Sequence, residues 1–131
     1  MREVIFTMLL AVVSSSVLAA WVSVDSDETT TVYADPSTIR RAGNMVKMWH
    51  LNDFKTVRVP LGGKHYMYMS SKFQNEYDCK EERARVRFFS WHSGNMGEGK
   101  VVYSASKPGK WEPVAPDTIG KYLWQFACRK R

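Results

Sequence analysis

Cysteine is scarce in this 131-residue chain: there are two, Cys79 and Cys128, with no Cys-x-x-Cys spacing and no adjacent histidine, so a thiolate metal site is not expected. Long apolar runs are also missing. After the first twenty residues none approaches the roughly 20 needed to cross a bilayer, and no transmembrane segment is expected. Acidic residues are outnumbered, 13 against 19 lysines and arginines, and Asp117 and the scattered carboxylates offer no pair whose surroundings would drive their pKa values apart. His50 and His92 belong to no constellation of nucleophile and carboxylate. No catalytic residue and no cofactor is therefore assigned, and an enzyme is not expected. Internal repeats, low-complexity tracts and linkers are absent, as is any nucleic-acid recognition motif, so nucleic acid is not an expected partner despite the charge.

What the chain does have is an export signal. Arg2 gives a short positive start, Val4 to Val13 an apolar stretch, and Ser14 to Ala20 a small-residue exit with Val17 and Ala19 at the positions a signal peptidase inspects. Residues 1–20 are read as a signal peptide, cleaved after Ala19 or Ala20, and residues 21–131 as one domain. Arg2 and Glu3 cancel within the signal, so the formal net charge of +6 (pI ≈ 9.4) stays with the exported part. Such basicity serves solubility and favours acidic partners: sulfated glycans, anionic headgroups or acidic protein surfaces. In an oxidising compartment an even cysteine pair closes one bridge, and Cys79 to Cys128 is the expected disulfide.

Short runs of β-branched and aromatic residues dominate the first two thirds. Trp21 to Val24 and Thr30 to Ala34, separated by Asp25 to Glu28, read as a hairpin; Asp35-Pro36-Ser37 breaks the pattern, and Gly43-Asn44 turns the chain into the long run Met45 to Phe54. Val57 to Lys64 reads as a loop with room for a short edge strand, and Tyr66 to Met69 as extended. Ser70 to Glu82 is polar and compatible with a helix. Ala84 to His92 alternates with period two and leads through the glycine-rich turn Ser93 to Gly99 into its partner Lys100 to Ala105. After the proline-stiffened loop Lys107 to Pro113, Asp117 or Thr118 can cap a helix whose stripe is Ile119, Tyr122, Leu123 and Phe126, ending at Cys128. Strands followed by one terminal helix indicate an antiparallel α+β domain with the helix on one sheet face.

Four segments carry a resemblance: Thr31 to Arg40 (TVYADPSTIR), Glu76 to Arg83 (EYDCKEER), Ser93 to Gly99 (SGNMGEG) and Lys110 to Pro116 (KWEPVAP). Together they resemble the bacterial surface-adhesin protein E-like domains. The resemblance implies a roughly six-stranded antiparallel sheet with a C-terminal helix tethered to one face by a disulfide. It also implies a surface adhesin of a Gram-negative bacterium that binds host extracellular-matrix or serum proteins of the vitronectin and laminin type and can form a homodimer. The binding region it implies corresponds to about Ser70 to Arg87. Family adhesins of the founding type are outer-membrane lipoproteins, whereas this signal exit has no cysteine to lipidate; the expected location is the periplasm or the cell surface, and the alternative to an adhesin is a soluble periplasmic module with no host role.

Among the residues themselves, Lys72, Lys80, Arg83, Arg85 and Arg87 are the candidate partner-binding set. Period two places Arg83, Arg85 and Arg87 on one face and Ala84, Val86 and Phe88 on the other, and guanidinium forks suit carboxylates and sulfates. The bland alternative is a solvated face balanced by Glu81 and Glu82. Cys79 shares parity with the arginines, which would put the helix and the basic face on the same side unless a bulge intervenes. His65, Met67 and Met69 share a face at period two and could hold Cu(I), against the competing reading of core filling. Arg129-Lys130-Arg131 reads as a frayed basic tail. Inhibition of host lysozyme is a further class, disfavoured because two basic proteins repel on encounter.

Overall fold

A computed structural model describes residues 20–129. The expected signal segment, apart from Ala20, and the Lys130-Arg131 end of the basic tail lie outside the described residues.

The strands are β1 (Val22–Ser26), β2 (Thr30–Ala42), β3 (Met45–Arg58), β4 (Tyr68–Asp78), β5 (Arg83–His92), β6 (Val101–Ala105) and the two-residue β7 (Glu112–Pro113), followed by helix α1 (Ile119–Arg129). All pair antiparallel. β1 to β6 form a simple meander, and β7 joins β5 at its start, leaving β6 the other end of the same edge. Hence the architecture is the expected α+β one, with one short strand more than six.

Local chemistry explains the turns. Gly43, at φ +62°, closes the hairpin between Ala42 and Met45. Pro36 does not end β2, although it interrupts the ladder: register with β3 shifts between Asp35 and Arg40. The bulge is held from inside, because Asp35 Oδ1 accepts from Ser37 N at 3.0 Å and Ser37 Oγ at 2.6 Å, and Thr38 Oγ1 accepts from Trp49 N at 3.0 Å. The helix-compatible reading of Ser70 to Glu82 is corrected: residues up to Asp78 are a strand between β3 and β5, and its polar groups find cross-strand partners there. The loop expected from Val57 begins two residues later, since β3 runs to Arg58.

The core lies between the sheet and α1. Val32, Ala34, Val46, Met48 and Tyr77 meet Leu123 and Ala127, with Ala84, Trp124 and Phe126 packed around them. Thr118 caps the helix, its Oγ1 accepting from Lys121 N at 3.1 Å. The expected stripe is rotated: Ile119 and Tyr122 are exposed, and the buried spacing is Leu123 to Ala127. The far end of the helix explains this rotation. Cys128 is bonded to Cys79, with Cα atoms 5.6 Å apart, and Trp124 donates its indole N–H to Asp78 O at 2.9 Å. These two ties, one turn apart, set which side faces the sheet. Arg41 adds a hydrogen bond to Cys128 O at 3.1 Å.

On the other face the Ser93 to Gly99 loop folds back over β3 and β4. Asp53 Oδ1 accepts from Met96 N at 2.7 Å and Asn95 Nδ2 at 3.1 Å, and the fully buried Ser70 donates to Gly94 O at 2.6 Å while accepting from Gly97 N at 2.8 Å. Glycine suits position 97: its φ is +72°, a backbone conformation that L side chains rarely adopt.

Candidate partner-binding surface

The parity conflict around Cys79 is resolved by the turn that follows it. Residues 79–82 leave the ladder, Glu82 takes φ +52°, and β5 re-enters with Ala84 opposite Tyr77 on the helix face. Arg83 and Arg85 consequently lie opposite Asp78 and Glu76, on the face away from the helix. Cross-strand register turns into ion pairs: Arg83 Nε to Asp78 Oδ2 at 2.9 Å, Arg85 Nη2 to Glu76 Oε1 at 2.8 Å, and Arg87 Nη1 to the same oxygen at 3.4 Å. Trp111, from the loop before β7, lies over both Arg83 and Arg85, each guanidinium carbon 4.6 Å from a ring centroid.

One part of the expected alternation is corrected. Register shifts by one residue between Gln74 and Asn75, whose partners are Phe88 and Val86, so Arg87 is the extra residue. Phe88 therefore emerges on the arginine face, edge-on to Trp49 at 5.5 Å.

The five candidate residues do not form one cluster. Arg83, Arg85 and Arg87 are together; Lys80 is exposed in the adjoining turn; Lys72 pairs with Ser90 further along β4, beneath Gly97. From Lys72 to Glu76 the strand rises by roughly 13 Å. Residues that sequence reasoning missed complete the arrangement: Glu76 and Asp78 as counter-ions and Trp111 as the cover. The signal available for the first two was cross-strand pairing across the Cys79 turn. Trp111 lies within the segment Lys110 to Pro116 that carries the resemblance, but nothing in the sequence placed it against the arginines.

Asp78 is the anchor of the turn. Its carboxyl is held below its ordinary pKa first by the Glu81 N–H, then by Arg83 and the Lys80 N–H, against the opposing effect of burial. It remains charged and keeps Arg83 oriented.

The copper alternative is dispersed over two elements. His65 lies in a single 3-10 turn (Lys64–Tyr66), Met67 follows it, and Met69 is in β4, so no common strand face joins them. Among the described residues no group of three His, Cys, Asp or Glu side chains could hold a metal ion. His92 is buried with its Nε2 2.8 Å from Ser90 Oγ, and burial lowers its pKa, helped by Lys72. His50 is buried against Phe73, ring centroids 4.9 Å apart, and burial alone lowers it to about 4. Neither has a carboxylate partner that would make it a general base.

With this geometry established, the comparisons decide the family. The family model described as surface-adhesin protein E matches residues 21–129. The chain belongs to the surface-adhesin protein E family. Solved structures agree on the fold. Haemophilus influenzae protein E, crystal form II, superposes with a TM-score of 0.61 at 13% identity, covering 81% of this chain and 91% of that one. Protein E from non-typeable Haemophilus influenzae gives 0.62 at 15% identity, covering 88% and 79%. At such identities the likeness speaks for the fold alone. No curated protein matches the sequence. Among the described residues no helix is long and apolar enough to cross a membrane.

Proposed function

We propose that this protein is an exported, non-enzymatic adhesin that recognises an acidic segment of a host extracellular-matrix or serum protein, of the vitronectin or laminin kind, through the face bearing Arg83, Arg85 and Arg87. Export would use residues 1–20 and leave residues 21–131 as the binding domain. The observation that carries this reading is the count and posture of charges: three guanidiniums share two carboxylates, and two of the three are held under Trp111. Arg83, Arg85 and Arg87 keep 40%, 27% and 31% of their side-chain surface exposed. A carboxylate arriving from a partner finds oriented N–H donors and a local surplus of positive charge. Lys80 adds a charge at the rim, and Lys72 lies outside this patch.

The test has two steps. Antibody labelling of an epitope-tagged copy on intact cells, against cells with a permeabilised outer membrane, establishes whether the face is presented to a host. Immobilised vitronectin and laminin are then titrated with the mature domain and with the R83E/R85E/R87E variant. Weaker binding with a flatter salt dependence supports the reading; equal affinity at low salt, or labelling only after permeabilisation, sinks it.

A further inference from the structure

The hairpin that joins β3 to β4 carries a surface of different chemistry from the arginine face. Val22, Ile119 and Tyr122 apart, the large apolar side chains exposed among the described residues lie in 57–67 and 101–103, at the end of the meander where β3 leaves the sheet and β6 enters it. Leu61, at the hairpin tip, is fully exposed, and Val59 is 55% exposed. An apolar side chain standing singly in water needs no explanation. These are gathered on one protruding element, which marks an interaction surface.

The tip satisfies much of its own backbone. Gly63 N donates to Pro60 O at 2.9 Å, closing a turn around Leu61 and Gly62; Tyr66 N donates to Gly63 O at 3.1 Å and Met67 N to Lys64 O at 3.3 Å. Those N–H groups need no water, which lowers the cost of carrying the tip into an apolar medium. Behind the tip the hairpin leans on β6: Tyr66 meets Tyr103 edge to face, ring centroids 6.2 Å apart. Pro60, Leu61, Gly62, Tyr66, Trp91 and Tyr103 line an open apolar hollow of about 380 Å³. Both tyrosines stay exposed, and a ring with an apolar body and a polar tip suits a boundary between apolar and wet surroundings.

The charges around this surface have one sign. No aspartate or glutamate occurs from residue 54 to 75 or from 99 to 111. Lys64, in the hairpin, and Lys100, next to Val101, are exposed, and among the described residues neither forms an ion pair with a carboxylate. Lys55 and Arg58 are not counted, because they serve the acidic β1–β2 turn: Lys55 donates to Asp27 O at 3.2 Å, and Arg58 lies over Phe54 and donates to Thr30 Oγ1. That turn is on the other side of β3 from β6. Asp53 is held by Met96 N and Asn95 beneath the 93–99 loop, which leaves Glu98 as the exposed acid nearest in sequence to Lys100.

We propose that this end of the domain docks on an anionic phospholipid bilayer, with Val59 and Leu61 entering the headgroup boundary, Tyr66 and Tyr103 at headgroup level, and Lys64 and Lys100 against the phosphates. A protein partner would need a recess shaped for a protruding leucine and a carboxylate for each lysine, whereas a fluid anionic bilayer supplies both without a matching shape. The arginines lie at the start of β5 and Trp91 near its end, so the two surfaces are separate, and this one does not depend on the adhesin reading.

The experiment is flotation of residues 21–131, free of the apolar segment 4–13, with vesicles of phosphatidylglycerol and phosphatidylethanolamine and with vesicles of phosphatidylcholine alone. The domain is expected to float with the anionic vesicles and to stay behind with the neutral ones, less completely as salt is raised. Leu61→Ser, at a position the fold leaves in solvent, should lower the partition constant about tenfold, and Lys64→Glu with Lys100→Glu by at least as much. Lys107→Glu with Lys110→Glu makes the same change in net charge at exposed positions away from the hairpin and should lose far less. Equal loss in the two lysine pairs, or undiminished flotation of Leu61→Ser, would assign the binding to net charge and overturn the proposal. Absence of flotation with anionic vesicles would overturn it too, and leave the hairpin to a protein partner.

Discussion

The Arg83 guanidinium lies 4.6 Å over the Trp111 ring while its Nε donates to Asp78 at 2.9 Å. One residue is thus tied at once to the end of β4 and to the loop before β7. Trp111→Ala removes the cover from Arg83 and Arg85 together, and each exposed cation–π contact is worth about 0.5 to 1 kcal/mol. A loss of about 1 to 2 kcal/mol is expected in urea unfolding, and Trp111→Phe should recover part of it. A full loss in both variants would show that indole packing, and not the cation contact, matters there.

Reduction of Cys79–Cys128 removes the covalent tie of the helix and leaves the hydrogen bonds of Trp124 and Arg41 and the Lys121–Glu82 ion pair. The bridge closes a loop of 49 residues, and chain entropy assigns such a loop about 4 kcal/mol as an upper figure. The reduced domain should unfold at markedly lower denaturant, and amide exchange should speed up first in α1 and around Leu123. Trp124 would still hold Asp78 O, so the sheet is expected to survive where the helix frays. Uniform loss of protection across sheet and helix would contradict that order.

The hairpins were legible because their signals are local: Gly43-Asn44 and the run Ser93 to Gly99 turn the chain whatever surrounds them. The disulfide was legible from compartment and number. Three features were not. Phe88 changes sides because Arg87 is bulged, and a bulge leaves the alternation of residue types untouched. Residues 70–78 look helix-compatible because they are polar and the partners of Ser70 and Glu76, in the 93–99 loop and on β5, lie further along the chain. The helix stripe was misjudged by one position, because ties at Trp124 and Cys128 outweigh its own periodicity. Of the arginine face, the charges were visible and the counter-ions were not. Glu76 and Asp78 meet Arg85 and Arg83 only once the turn at residues 79–82 fixes the register.

Ser70 is the pin of the loop over the other face. Replacing the fully buried Ser70 with alanine leaves Gly97 N and Gly94 O, which are part-buried, without their partner, at about 1 to 2 kcal/mol for groups water can partly reach. Differential scanning should show a melting temperature lower by roughly 5 °C or more. Backbone shifts are expected at residues 93–99 and Asp53, with the helix face unchanged. Ser70→Cys, which keeps a weak donor and acceptor, should fall between.

Acid should destabilise the domain, and His50 should set where this begins. Its pKa is lowered from 6.5 to about 4 by burial, so the folded state holds it neutral while the unfolded chain takes up a proton. Its contribution is complete above the unfolded value near 6.5, shrinks as pH falls, and is lost by the folded value near 4. The difference corresponds to about 3 kcal/mol across that window. Asp27 and Asp78, whose pKa values are lowered by hydrogen bonds, act in the same direction at still lower pH, below their ordinary 3.8. His92 shifts downward as well and shares the upper window. His50→Phe, which keeps a ring against Phe73 and removes the unpartnered Nδ1, should make stability fall less steeply between pH 6.5 and 4, with the His92 share remaining, and leave the lower acid transition in place. Urea unfolding of both proteins at several pH values measures this, and parallel curves for wild type and variant would assign the acid sensitivity to other groups.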